Sequence, residues 1–460
     1  MADFSLTEVL KATGGRLINV GNSKLFQGIS TDTRSIQAGN LFVALVGEHF
    51  DGNEFVAQAV AKGATALLVS KTVNVPDYVT VIQVINTLAA LQALARFHRQ
   101  RYNIPVIAVT GSNGKTTTKD MLAAVLSSRF KVLKTEANFN NEIGLSLTLL
   151  KLEASHEVAV VEMGMRASGE IRELTEIALP TVGVVTNVGE THMEILGSIE
   201  NIASAKAELV EAIAPDDIVV LNADDPHVRD MQHKTQGRVV FYGLAPSAFV
   251  RAENITSGKN AELSTTFDCC SARGSFTVTL PTVGIHNVYN ALAAIAVGWE
   301  LGLQPSEIQT GISSFVPGAM RLEINRYGPY TVINDVYNAS PLSMAAALTT
   351  LANISKGRKI AVLGDMLELG DASVEAHRRV GRQAAEQSVD SIIAVGKLAK
   401  HIAAAASEQG VKSTQSFTEH KAAIDALRKL LKPGDYILLK GSRGMKMETM
   451  LEAFQDISLL

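Results

Sequence analysis

Residues Ile104 to Thr118, IPVIAVTGSNGKTTT, place an apolar run, a glycine turn carrying a lysine, and a helix-compatible stretch in direct succession. A buried strand that runs into a glycine loop at a helix N-terminus is the build of a phosphate-binding site, and this constrains the fold more than any other stretch. Backbone N–H groups of Gly111, Ser112, Asn113 and Gly114 can cradle phosphate oxygens. Lys115 can reach the terminal phosphates, and Thr116, followed by Thr117, can offer a hydroxyl to Mg2+. The common GxxxxGK[ST] spacing would want a glycine at Val109, so Gly111 alone supplies the early turn in a shorter TGxxGKTT form. A glycine turn with a surface lysine is the plain alternative; the strand before it and the helix after it argue against that.

At 460 residues, 47% of them hydrophobic, the chain is too long for one core and too apolar for disorder. A guide of about 150 residues per domain suggests three. The formal net charge of -4 and the lack of any basic run point away from nucleic acid and towards a small polyanion held in a local site. MADFSLTEVL has no positive n-region and no apolar core, and no apolar stretch is long enough to span a bilayer. Cys269 and Cys270 are adjacent and make neither a metal motif nor a disulfide framework. The expectation is a cytoplasmic protein without membrane insertion.

Three segments emerge along the chain. Residues 1–84 carry short strand candidates, ISTDTRS, NLFVALVG and ATALLVS, around a helix from Gly52 to Lys62. Thr31, Asp32 and Arg34 gather at a strand end, where Arg34 can meet a phosphate or simply sit in a surface turn. Residues 85–316 open with an amphipathic helix, Asn86 to Tyr102, whose His98, Arg99, Gln100 and Arg101 place positive charge at the end that suits the dipole. Alternating strands and helices follow, and runs such as VAVV and VGVV predict a mostly parallel sheet covered on both faces. Ala248 to Leu280 reads as a small antiparallel insertion and His286 to Leu301 as a helix. Beyond a hinge at Phe315, Pro317 and Gly318, residues 317–460 show a second alternating series, TVINDV, KIAVLGD, SIIAVG and YILLKG, with no phosphate loop. The fold expected is α/β in three domains: a small N-terminal α/β domain, a central P-loop domain, and a Rossmann-like, doubly wound C-terminal domain.

Ligands of parallel sheets gather at strand carboxyl ends. That rule selects Thr110 to Thr116, Asn138 to Asn141, Glu162 and the loop Asn187 to His192. Glu162 follows VAVV and could hold Mg2+ or be a hydrogen-bonded strand-end carboxylate. In SIENIASAKAELVEAIA, Ile199, Ile202, Leu209 and Ile213 mark an apolar stripe, and Lys206 falls on it. A lysine there either snorkels at the helix edge, the commoner outcome, or is buried, neutral and able to add CO2. His192 could join a metal shell or be an ordinary loop histidine. Arg321, Asp335 and Lys440, single charges taken alone, could together face a nucleotide across a cleft.

Taken in order, these stretches resemble the Mur ligase family, ATP-dependent amide-forming enzymes of peptidoglycan synthesis. TDTRSIQAGNLFVALVGEHFDG is similar to the UDP-substrate domain, and TGSNGKTTT, EANFNNEIG, VEMGMRASGEI, TNVGETHMEILGS and ASAKAE to the central ATPase domain. GIHNVYNALAA and PGAMRLE resemble its adenine-side and hinge segments. INDVYNASP, VLGDMLELG and LLKGSRGMKME resemble the third domain of members that add D-alanyl-D-alanine to a UDP-N-acetylmuramoyl-tripeptide. The resemblance implies ATP with two Mg2+ ions, Lys115 and Thr116 serving both, Glu162 and His192 on metal, and a carbamate on Lys206. It also implies adenine at Asn287, the terminal phosphate at Arg321 and ribose at Asp335. Substrate contacts are expected at Thr31, Asp32, Arg34, Asn138, Asn140, Asn141 and Asn338. Ser340 stands where the family's YNANP has asparagine, and Asn53 where histidine is frequent.

Forming an amide from a free carboxylate in water is uphill, so phosphoryl transfer to the tripeptide carboxylate, then attack by the dipeptide amine, is the expected chemistry, in a monomer. Rivals are a ligase adding the third amino acid, folylpolyglutamate synthase, and a nucleotide-dependent switch. TDTR and FDG disfavour the folate enzyme, while a switch leaves Lys206 unexplained.

Overall fold

The computed structural model describes residues 2–257 and 263–455. Contacts gather the described residues into two compact units, one drawn from Met1–Val109, Phe130–Met165 and Gly169–Gly183, the other from Thr110–Arg129, Arg166–Ser168 and Val184–Leu460. The α/β expectation holds, with three larger sheets and one two-stranded ribbon, Asp3–Ser5 with Leu25–Gln27.

In the first unit a five-stranded sheet runs Arg16–Asn19, Thr80–Gln83, Ala66–Val69, Leu41–Val43, Ile29–Ser30. Only the first pair is antiparallel. Phe42, Leu67, Val69 and Val81 bury one face against Val56 and Ala59 of the helix Val56–Ala61. The helix Thr87–Arg99 starts at Asn86, whose Oδ1 accepts from the backbone of Leu88 and Ala89, a side-chain cap for otherwise unpaired N–H groups. Its last turn is basic, as expected, and two of those side chains also do a packing job. His98 and Arg99 are buried: His98 Nε2 lies 2.9 Å from the Leu152 carbonyl, and Arg99 donates to the carbonyls of Ala178, Tyr102 and Ile104. Buried carbonyls need donors, and these two side chains supply them.

The central sheet has nine strands in the order Gly274–Leu280, Thr265–Ser271, Val250–Ser257, Arg238–Gly243, Ile218–Asn222, Val182–Val185, Val106–Thr110, Val158–Glu162, Val132–Lys134. It is mostly parallel. Its first three strands are antiparallel to one another, as expected for Ala248 to Leu280, of which residues 258–262 lie outside the described residues.

The C-terminal sheet runs Glu323–Tyr327, Tyr330–Asp335, Tyr436–Lys440, Lys359–Gly364, Ser391–Val395, Ser413–Phe417, parallel except for the first pair. Its residues alternate between two cores. Ile333, Ala361, Leu363, Ile392 and Leu438 pack on the helices Pro341–Ile354, Ser373–Glu386 and Lys400–Glu408. Val332, Ile360, Val362, Ile393 and Leu439 pack on the helix His420–Leu430 and the turn Met447–Phe454. The period of two along each strand therefore makes the domain doubly wound.

Candidate active site

Gly111 turns the chain at φ +147°, where an added Cβ would come within 1.9 Å of Thr186 Oγ1, so only glycine fits. Thr186 and Asn187 hold the loop from beneath. Asn113 N donates to Asn187 Oδ1 at 2.9 Å, and the Asn113 carbonyl accepts from Thr186 Oγ1 at 2.7 Å and Asn187 Nδ2 at 3.0 Å. Ser112 N donates to the Asn187 carbonyl at 2.9 Å. The helix Lys115–Leu126 follows directly on Gly114, which sets Lys115, Thr116 and Thr117 in its first turn, at the positive end of its dipole. Lys115 Nζ donates to the Gly111 carbonyl at 2.8 Å, folding back on its own loop.

The helix Ile285–Glu300 braces this helix. Asn290 Oδ1 accepts from Thr118 Oγ1 at 3.1 Å and would clash with any Cβ at Gly114. Asn287 is buried one turn away, donating to the Val283 carbonyl at 2.8 Å and accepting from Asn290 Nδ2 at 3.1 Å.

Residues beyond the hinge reach the loop. Arg321 Nη2 donates to Thr116 Oγ1 at 3.1 Å, while its guanidinium lies 3.8 Å above the Tyr337 ring. Asp335 accepts from Lys440 Nζ at 2.6 Å and from the backbone of Leu322 at 3.1 Å. Lys440 also donates to the carbonyl of Asn338, whose side chain is exposed. Ser340 caps the helix Pro341–Ile354 and donates to Asn113 Oδ1 at 2.8 Å.

Lys206 sits on the helix Ile199–Glu211 and is 2% exposed, so it does not snorkel. Burial, with help from the positive Lys115, pushes its pKa well below the usual lysine range and so favours the neutral amine. His192, at φ +57°, lies with Nδ1 2.7 Å from Glu368 Oε2. Burial lowers its pKa, Glu368 opposes this, and Lys206 and Lys115 add to the lowering. Among the described residues no three or more His, Cys, Asp or Glu side chains gather to hold a metal. A cation here would rely on hydroxyl oxygen or on an anionic group made on Lys206.

In the first unit, Glu162 is 2% exposed. Its Oε1 accepts from Asn140 Nδ2 at 2.8 Å, whereas its buried Oε2 has no hydrogen-bond partner among the described residues. A buried carboxylate oxygen without a donor fits a cation. Asn141 caps the helix Glu142–Leu149 through Gly144 N, and Asn138 is exposed. Arg34 forms a bidentate pair with Asp32, which holds the Asp32 carboxyl down at about 2; Thr31 is half-buried beside them. Asn53 is buried, bonded to Asp51 and Ser70.

Three family descriptions match in succession: the Mur ligase family catalytic domain over residues 25–99, the Mur ligase middle domain over 109–298, and the Mur ligase glutamate ligase domain over 320–443. A UDP-N-acetylmuramoyl-tripeptide--D-alanyl-D-alanine ligase of Bacillus subtilis is 41% identical over 432 residues, 93% of each chain. The chain belongs to the Mur ligase family. Two crystal structures agree with that membership. MurF from Acinetobacter baumannii superposes with a TM-score of 0.92 at 32% identity over 99% of both chains. MurF ligase from Thermotoga maritima, in complex with ADP, gives 0.83 at 28% identity over 94% of this chain and 97% of that one. Within this Mur ligase, sequence reasoning passed over Thr186, Tyr337, Asn290 and Glu368. Thr186 and Tyr337 stand at or just past strand carboxyl ends, a position that could have singled them out.

Proposed function

We propose that this Mur ligase uses ATP to join D-alanyl-D-alanine to UDP-N-acetylmuramoyl-tripeptide in peptidoglycan synthesis, through an acyl phosphate, releasing ADP and phosphate. The observation that carries the reading is the hydrogen bond from Arg321 to Thr116, which sets a cation from beyond the hinge beside the phosphate loop. The turn Gly111 to Gly114 shapes the phosphate site; because Ser112 and Asn113 already give their N–H groups to Asn187, the open end of the helix Lys115–Leu126 and the Lys115 side chain receive the ATP phosphates, and Arg321 faces the one transferred. Asn287 meets adenine and Asp335 ribose. Thr116, Glu162, His192 and a carbamylated Lys206 are the residues we assign to Mg2+. The metal would neutralise charge between the γ-phosphate and the tripeptide carboxylate.

Thr31, Asp32, Arg34, Asn138, Asn140 and Asn141 are assigned to the UDP-tripeptide, and Asn338 to the dipeptide. The domains are 1–84, 85–316 and 317–460, in a cytoplasmic monomer. No helix among the described residues is long and apolar enough to cross a membrane, which suits that location. Phosphate release from ATP tests the reading. It should require both UDP-tripeptide and D-alanyl-D-alanine; equal release without either overturns it.

A further inference from the structure

The loop after the strand Lys359–Gly364 presents three acidic residues, and their surroundings differ. Asp365 is buried, its carboxylate taken by the backbone N–H groups of Lys397, Leu398 and Ala399. Asp371 is exposed on the following turn. Glu368 alone of the three lies against the loop bearing His192, its Oε2 2.7 Å from Nδ1, and its side chain stays 51% exposed. No lysine or arginine pairs with it among the described residues. Asp335, at the end of a strand two places along the sheet, is already committed to Lys440.

Glu368 is also held in place. It sits at φ +63°, its carbonyl accepts from Glu194 N at 3.2 Å, and the preceding Leu367 N donates to Ser442 Oγ at 2.9 Å. An ion pair between Glu190 and Arg379 ties the His192 loop to the helix Ser373–Glu386 that follows the Glu368 loop. A non-glycine residue in this backbone region persists only where its surroundings fix it.

We infer that Glu368 receives the ammonium group of the incoming dipeptide, holding the amine beside His192 at the junction of the phosphate-loop and C-terminal elements. The inference rests on the ligase reading above. A dipeptide enters as a zwitterion, so its amine needs an anionic partner near the reacting carboxyl. A half-exposed carboxylate lacking a lysine or arginine partner provides one without first breaking a strong protein ion pair. Glu368 is a positioning residue in this account.

The test compares Glu368→Gln and Glu368→Asp with wild type, using D-alanyl-D-alanine as substrate and propionyl-D-alanine, which lacks the amine, as competitive inhibitor. An inactive wild type would refute the ligase reading itself, so the two failures are separable. In Glu368→Gln the KM for the dipeptide should rise at least roughly tenfold, while the KM for ATP and the Ki of propionyl-D-alanine move less than about twofold. Glu368→Asp, which keeps the charge, should recover most of the affinity. An unchanged dipeptide KM, an equal rise in KM and Ki, a rise for ATP instead, or an aspartate variant as weak as the glutamine one would overturn the inference.

Discussion

Arg321 Nη2 lies 3.1 Å from Thr116 Oγ1, so one hydrogen bond joins the segment after the hinge to the first turn of the phosphate-loop helix. The guanidinium also lies against the Tyr337 ring, 3.8 Å from its centre. A fixed cation at that point is worth most where transferring phosphate gathers charge. Arg321→Ala should lower kcat by roughly 100-fold, the scale of losing one preorganised donor. Arg321→Lys should recover only part of it, since an ammonium cannot both stack and fork. Steady-state kinetics with saturating UDP-tripeptide would check this, and an unchanged kcat would refute it.

Gly111→Ala puts a Cβ against Thr186 Oγ1 and forces an alanine to φ +147°. Strain of roughly 1–3 kcal/mol at such a position should disorder the loop. Binding of a non-hydrolysable ATP analogue, read by calorimetry, should weaken at least about tenfold. Native affinity in the variant would show that the loop tolerates a side chain.

Lys206 separates stability from function. The folded state disfavours its proton, so the unfolded chain binds more protons below the usual lysine pKa, and burial of this amine costs stability at neutral pH. Lys206→Met removes that cost while keeping an apolar stem. Its Tm should therefore not fall, and ligation should drop by at least roughly 100-fold. Partial rescue of Lys206→Ala by short carboxylates would mark a carbamate. Near-native ligation by the methionine variant would refute any role for this residue in the reaction.

Burial lowers the pKa of His98 and His377, and takes His286 to about 4. The unfolded chain protonates these rings near 6.5, so stability is full above that pH and declines as pH falls towards 4. Each histidine adds a slope of up to about 1.4 kcal/mol per pH unit. Urea unfolding at several pH values should show His377→Gln with a shallower decline than wild type; identical slopes would contradict the assignment.

The alternating apolar runs made the three larger sheets legible, because strands buried on both faces need continuous Val, Ile and Leu. Ser413–Phe417 escaped notice since, as an edge strand, its STQSF carries little apolar signal. Glu323–Tyr327, EINRY, was equally quiet, although its partner strand follows a Gly328–Pro329 turn. Lys206 was visible as a lysine on an apolar stripe, but only packing could decide between snorkelling and burial. The basic end of the helix Thr87–Arg99 was legible, but the burial of His98 and Arg99 was not, because the carbonyls they meet include ones from distant segments. Glu368 lies inside VLGDMLELG, but its own part depends on a loop far away in sequence.

The most direct test incubates the protein with ATP, UDP-N-acetylmuramoyl-tripeptide and isotopically labelled D-alanyl-D-alanine, and follows the label by mass spectrometry. The account predicts one labelled dipeptide joined to the UDP-linked peptide for each ADP formed. ADP formed without transfer of label, or transfer without ATP, would contradict it.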